Sequence, residues 1–412
     1  MSIGRRYSTA DKQRPIPALL LLSCLLTLLL AACSNPFGGG DTTNQMHTKA
    51  PLSKQIFTAP LVGIADFDTL DPALAHDPIS LKAIQMMFTG LVQLDSKLHI
   101  QPQLAKSWQL GSDGVTWTFK LKPHLTFSDG TPLTSADVAY SLDRALQPDT
   151  KSTVAPIYLR LIKDSDQLLA GRITTLINDS IQTPDAQTVV ITTSKQSAYF
   201  LSMLTNPCSY VVQKSLITKY KTQFTDHLNE GGGAGPFKVA TYAHRSHIDF
   251  VPNKKYYNAQ PQLQKVSYVF YQTGQEAYQA YTNHQLDMTG VPMNTFASDM
   301  KRTDFHQIPQ QWINYYAMNY LAKPFDNIHI RQAFALAIDK VAIARDIWKN
   351  TARATNHIVP EGMPDYNAQI TGPDGTTNLG ETRKKHRHFC NKVYKKKSCR
   401  PQQSYHRSSL PM

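Results

Sequence analysis

Residues able to do covalent chemistry are present in this sequence, but not in the spacings that such chemistry needs. No Gly-x-Ser-x-Gly turn and no His-Glu-x-x-His helix occurs, so a secreted hydrolase, which requires a nucleophile and base pair, is the weakest functional class. Gly231-Gly232-Gly233-Ala234-Gly235-Pro236-Phe237 has the glycine density of a phosphate loop. Lys238 nevertheless follows Pro-Phe and precedes Val239, so the Gly-Lys-Ser/Thr ending that would hold a phosphate is missing. The five cysteines show no disulfide framework and no zinc spacing. Cys24 and Cys33 lie near the N-terminus, Cys390 and Cys399 near the other end, and Cys208, with no identifiable base, reads as an inert buried thiol. His124, His227 and His244 are scattered and read as surface or core residues. No catalytic residue, metal site or cofactor is expected. Asn314-Tyr315-Tyr316-Ala317-Met318-Asn319 reads as a strand, in which Tyr315 and Tyr316 offer an aromatic platform and Asn319 an amide for a peptide backbone. Core packing of the two tyrosines accounts for them equally well.

The elements that would position such residues are clearest between Ala105 and Arg144. Val115, Trp117, Phe119 and Leu121 alternate with Thr116, Thr118 and Lys120, the period-2 pattern of a strand burying one face. The turn cluster Gly111-Ser112-Asp113-Gly114 folds this strand back on the one holding Trp108. A second turn, Ser128-Asp129-Gly130-Thr131-Pro132, leads into Thr134-Ser135-Ala136-Asp137, where a hydroxyl and a carboxylate three residues apart can satisfy the orphan groups of a starting helix. That helix is expected to run to about Leu146, with Val138, Leu142, Ala145 and Leu146 on its packing face.

Trp108, Trp117-Thr118-Phe119-Lys120-Leu121, Phe127-Ser128-Asp129-Gly130-Thr131-Pro132 and Asp137-Val138-Ala139-Tyr140-Ser141 together resemble the segment that marks the family 5 extracytoplasmic solute-binding proteins, the peptide-binding receptors of ABC importers. Further anchors follow the same resemblance. Leu70-Asp71-Pro72 is similar to the family's first strand–loop junction, and Met87-Phe88-Thr89-Gly90-Leu91 to its Phe-x-Gly-Leu. Gly231–Phe237 resembles its Gly-Thr-Gly-Pro-Tyr segment, with strands expected at Phe237–Tyr242 and Ile248–Val251. Lys323-Pro324-Phe325-Asp326 through Arg331-Gln332-Ala333-Phe334 resembles its Pro-Phe-x-Asp-x-x-x-Arg-x-Ala-Leu. Phe334, Ile338, Val341 and Trp348 fall on one face of the following helix, which reads as core scaffold. In relatives that take extended peptides, part of the loop before the first helix touches the ligand backbone. The matching positions are His76, Asp77 and Pro78, although Pro78 has no amide hydrogen, so any donor the family offers there is lost. From the residues alone this is a polar loop.

The net charge is +13, which would suit nucleic acid or an anionic membrane, but its placement decides otherwise. About ten Lys or Arg and no acid fall between Arg383 and Arg407, leaving about +3 for the rest of the chain, too diffuse for a nucleic-acid groove. At the other end, Arg5, Arg6, Lys12 and Arg14 precede an apolar run from Ala18 to Leu30. That run would span only about 20 Å of a roughly 30 Å hydrocarbon core, so it reads as a signal peptide. Leu30-Ala31-Ala32-Cys33 resembles the bacterial lipoprotein box, with Cys33 as the lipidation site. The following segment to about Ser53 reads as a flexible tether averaging about 25 Å in reach.

After roughly Tyr366 the motif resemblance stops. The expectation is that a frameshift or misread end replaced the family's remaining strands with a basic, structureless tail; a tail for anionic lipid is the rival reading. The expected organisation is a signal peptide over 1–33, a tether over 34–54, a first lobe over 55–265 and a partial second lobe over 266–370, with the crossover near Val266–Tyr271 and a basic tail over 371–412. The resemblance implies an α/β, two-lobed, periplasmic-binding-protein type II-like fold with mixed sheets and an incomplete second lobe. It also implies a non-enzymatic, lipid-anchored receptor outside the cytoplasmic membrane. Such a receptor captures peptides between lobes, hands them to ABC permease subunits and binds no nucleic acid. Family relatives that bind nickel, haem or oligosaccharide remain alternatives, as does a non-functional truncated receptor. The acidic residue that would bind a peptide's free amine falls outside the matched motifs.

Overall fold

The computed structural model describes residues 2–4 and 50–379, apart from 309, 311, 364, 374 and 378. Of the expected signal peptide only Ser2–Gly4 is described; the rest of it, Cys33, most of the tether and the basic tail from 380 onward lie outside the described residues. By contacts the chain divides into a larger unit ending at Gly290 and a smaller one beginning at Val291.

The larger unit is built on two four-stranded sheets. β1 (Ile56–Val62) and α1 (Pro78–Met87) come first, followed by the small hairpin β2 (Val92–Leu94) and β3 (Ile100–Pro102). The expected hairpin is present as β4 (Ala105–Leu110) and β5 (Thr116–Leu121), antiparallel, with Trp108 opposite Phe119 and Leu110 opposite Trp117. Phe119 and Leu121 are fully buried, as the alternation requires. The turn works through Asp113, whose Oδ1 accepts the amides of Val115 and Thr116 at 3.0 Å each. α2 (Ser135–Leu146) starts where the capping chemistry placed it: Asp137 Oδ2 accepts from the Thr134 amide at 2.8 Å and from its hydroxyl at 3.0 Å. Its Val138, Leu142, Ala145 and Leu146 are buried. β6 (Ile181–Asp185) and β7 (Thr188–Thr192) complete this sheet in the order β4-β5-β7-β6, all antiparallel.

α3 (Lys214–Tyr220) then leads back to the first sheet, through β8 (Phe237–Ala243), β9 (His247–Pro252) and β10 (Lys265–Tyr271). Its order is β1-β10-β9-β8: β8, β9 and β10 run antiparallel, and β10 pairs in parallel with β1 from Lys265 opposite Ile56 to Tyr271 opposite Val62. That parallel pairing carries the larger unit past the boundary expected at 265. β10 is an inner strand of the sheet and cannot be parted from it without unpairing β1 and β9. α4 (Gly274–Thr282) and the short strand β11 (Met288–Gly290) extend the same unit. Each sheet has its own core: α2 packs among Phe119, Leu121 and Val189, while α1 packs among Ala59, Leu61, Ile248 and Phe250.

The smaller unit differs from expectation in two places. Residues 312–319 form no strand, because they make no ladder with any other described segment, and Tyr315 and Tyr316 are exposed rather than packed. The long helix expected through Trp348 is broken. α5 (Ile328–Ala337), capped by Asn327, ends where Ile338 turns extended. Asp339 then caps a new turn by accepting the Ala342 amide at 2.8 Å. A mid-sequence Asp with N-cap geometry overrides the helical period. Phe334, Val341 and Trp348 are therefore exposed, and Leu336 is the buried position of α5.

Candidate functional site

The loop positions His76, Asp77 and Pro78 sit at the start of α1. Asp77 Oδ1 accepts from the amides of Ile79 at 3.0 Å and Ser80 at 2.8 Å, and Pro78 occupies the first helical position, where its missing N–H costs nothing. Asp77 Oδ2 is buried and, among the described residues, has no hydrogen-bond partner. Asp77 is thus committed to capping α1, while His76 and Pro78 are both solvent-exposed. In the smaller unit Tyr315, Tyr316 and Asn319 are all exposed. Asn319 Oδ1 accepts from the Leu321 amide at 3.0 Å, which leaves the amide nitrogen of the side chain as its outward donor. Trp312, which sequence reasoning passed over, is exposed beside them, with Nε1 donating to Asn314 Oδ1 at 3.2 Å. Its proximity in sequence to the two tyrosines was the available signal.

Around these positions the larger unit is held by polar hubs that unite motifs distant in sequence. Gln213 donates through Nε2 to Asp129 Oδ2 at 2.7 Å and to Thr131 Oγ1 at 3.1 Å, while its Oε1 accepts the Gly232 amide at 2.8 Å. It thereby ties the Phe127–Pro132 turn to the glycine segment, and Ser128 donates its amide to Gly233 O at 2.9 Å alongside. Burial would raise the Asp129 carboxyl, but the hydrogen bonds from Gln213 and Thr131 outweigh it and hold its pKa below the ordinary value. The glycines are there for approach. Gly235 donates its amide to Met87 O at 2.7 Å, and a Cβ on Gly233 would overlap that same carbonyl.

Asp71, in the Leu-Asp-Pro junction, is buried and takes both guanidinium nitrogens of Arg144 from α2, at 3.0 and 2.5 Å. The guanidinium also lies 5.5 Å from the Phe224 ring centroid. Near the end of β8, Tyr242 Oη donates to Asp66 Oδ1 at 2.6 Å and His244 Nδ1 lies 2.9 Å from Oδ2. Burial raises Asp66, and these bonds outweigh it, leaving its pKa lowered. Cys208 is buried, which pushes its thiol up to about 12, so it is no nucleophile at neutral pH. An open groove of about 580 Å³ runs along Phe127, Thr131, Pro132, Gln213, Lys214 and Lys219. Its walls include none of the six candidate positions, and Gln213 is already spent on the hub just described.

Comparison with known proteins gives this arrangement a family. The profile of the bacterial extracellular solute-binding proteins, family 5 (middle region), matches residues 99–388, well past Tyr366, where recognisable motifs ended. The chain is 24% identical over 359 residues to the oligopeptide-binding protein OppA of Bacillus subtilis, covering 85% of this chain and 64% of that protein. It is 24% identical over 308 residues to the dipeptide-binding protein DppE of the same organism, covering 74% and 55%. Among solved structures, the periplasmic oligopeptide-binding protein OppAIV of Borrelia burgdorferi superposes with a TM-score of 0.70 at 26% identity, over 82% of this chain and 66% of that one. The chain therefore spans less than two thirds of the length of these relatives, and its fold is of the periplasmic-binding type that the motifs implied. The family is one of binding proteins acting outside the cytoplasm, and among the described residues no helix is long and apolar enough to cross a membrane. On the match of most of its length to one profile, the chain belongs to the bacterial extracellular solute-binding proteins of family 5.

Proposed function

We propose that this chain is the substrate-capturing component of an ABC importer, taking extracellular peptides and delivering them to permease subunits, with no reaction of its own. The observation that carries the reading is the family match, joined to relatives whose names specify oligopeptides and dipeptides. Peptide capture between lobes relies on hydrogen bonding to the ligand backbone, which gives affinity with little dependence on side chains. In this reading the loop carrying His76, Asp77 and Pro78 meets the ligand backbone, with Asp77 also holding the loop's shape as a helix cap, and Tyr315, Tyr316 and Asn319 offer rings and an amide to a peptide. Lipidation at Cys33, anchorage to the outer face of the cell membrane through a flexible tether, and independence from nucleic acid complete the proposal.

The test is a thermal melt of the chain with and without mixed di- to pentapeptides. Ligand at a hundredfold its Kd adds about 2.7 kcal/mol, a rise of several degrees in a protein of this size. A cooperative melt that does not move with any peptide, while retaining its sharpness, would remove peptides as the ligand.

A further inference from the structure

His244 stands where three segments far apart in the sequence meet. It lies in the turn between β8 and β9, which the Ser246 amide closes by donating to Ala243 O at 3.0 Å. Its Nδ1 is 2.9 Å from Asp66 Oδ2, in the loop after β1, and its Nε2 is 3.5 Å from Asp226 Oδ1, in the short 3-10 helix Lys221–His227. The ring leans on Tyr242, centroids 4.1 Å apart, and Tyr242 Oη donates to the other oxygen of Asp66 at 2.6 Å. Both ring nitrogens therefore face carboxylate oxygens. A neutral imidazole has one N–H and one lone pair, so it satisfies one carboxylate and points the lone pair at the other; only the imidazolium donates in both directions.

The other charged and titratable groups of these segments are occupied elsewhere or solvated. Glu230 takes Tyr220 and Lys219, with His227 at 3.3 Å. Asp249 takes Lys265 and has His247 at 3.7 Å. Asp68, Lys221 and Arg245 are exposed.

We propose that His244 is an acid-closed clasp: on gaining a proton its imidazole ties the loop 63–69 and the helix 221–227 to the β8–β9 turn, and it loses its hold on Asp226 when the proton leaves. The added attraction is complete while the ring is charged and is lost as pH rises through the imidazole range, about 5 to 8. Burial pushes Asp66 up, but hydrogen bonds from Tyr242, His244 and the Phe67 amide hold it below its ordinary value, so it stays ionised across that range. The clasped loop leads from β1 to Leu70-Asp71-Pro72, and the family acts outside the cytoplasm, where the pH is that of the surroundings.

The test is hydrogen exchange of the full chain at pH 5.5 and 8.0, read by mass spectrometry on peptides covering 63–69 and 221–227 and corrected for the intrinsic pH dependence of amide exchange. Protection of both segments is expected to be about three- to tenfold greater at pH 5.5. His244→Gln keeps an N–H for Asp66 but cannot gain a charge, and should bring the ratio close to one; other histidines titrate in the same range, so the difference between wild type and variant is what counts. Asp226→Asn, at an exposed position, leaves the Asp66–Tyr242 bond in place and should lower the ratio as well, which keeps the test decisive if His244→Gln loosens the whole unit. Screening in about 1 M sodium chloride should shrink the wild-type ratio too. A wild-type ratio near one, or one that survives His244→Gln or Asp226→Asn undiminished, would overturn the clasp.

Discussion

Breaking the Asp71–Arg144 pair is the sharpest way to test how the larger unit is held together. Asp71 lies in the loop after β1, Arg144 on α2, and their side chains retain only 5% and 16% of their exposure. Arg144→Met keeps the stem that packs toward Phe224 but removes the guanidinium, leaving the Asp71 carboxylate buried with the Ala73 amide as its remaining close donor. Removing one partner of a buried ion pair costs about 3–5 kcal/mol, much of it the desolvation of the charge left behind. At about 2–4 °C per kcal/mol for a unit of this size, Tm should fall by about 6–20 °C. Asp71→Asn in the same chain removes the stranded charge and keeps an oxygen for the Ala73 amide. The double variant should therefore recover much of the loss and show a coupling energy well above the few tenths of a kcal/mol seen for independent sites. Urea unfolding gives these free energies from midpoint and slope. If Arg144→Met stays within about 0.5 kcal/mol of the wild type, or the double variant merely sums the two single losses, the pair does not hold the loop to α2 and the reasoning fails.

Three further outcomes follow from the geometry. Gly233→Ala forces a Cβ to within 2.8 Å of the Met87 carbonyl carbon and 3.0 Å of Phe88 Cδ1, so a loss of about 1–3 kcal/mol is expected in chemical denaturation, while Gly274→Ala, which meets nothing within 4 Å and likewise has no positive φ, gives a control without the clash. Glu230 is held well below the carboxylate range, from 4.5 to about 2, by hydrogen bonds from Tyr220 first and Lys219 second; its contribution is complete above pH about 4.5 and is lost as pH falls toward 2, so Glu230→Gln should flatten the acid limb of the stability profile in that window and leave its neutral plateau unchanged in shape. Iodoacetamide followed by peptide mapping should find Cys208 unmodified in the folded chain and modified in urea, since burial keeps its thiol protonated; labelling at the same rate in both states would place it at the surface.

Local chemistry was legible from the sequence. The β4–β5 hairpin, the start and packing face of α2 and the β8–β9 pair follow from alternation, turn residues and capping groups within a few positions of one another, because the physical causes are themselves local. The role of the glycine segment was half legible: the missing Lys-Ser/Thr excluded a phosphate loop, but only packing against Met87 explains why side chains are absent there. Where expectation failed, a tertiary partner was assumed that the described residues do not supply. Residues 314–319 have the composition of a strand and no neighbouring strand. The Phe334–Trp348 periodicity is interrupted by Asp339, whose preference for capping outweighed the helical pattern.

By itself, then, the sequence determined the family and the local elements, both of which are properties of residue types and short spacings. Only the tertiary structure decided that Gln213 joins the Asp129 turn to Gly232, across separations of 84 and 19 residues. It also decided that Asp71 closes on Arg144 from 73 residues away, that β10 lies in parallel beside β1 and so carries the larger unit past residue 265, and that Asp77 is spent on a helix cap. A hydrogen bond or ion pair between distant positions leaves no periodic trace in the chain. Its existence depends on which surfaces the two cores bring together, and that is settled only when the whole unit packs.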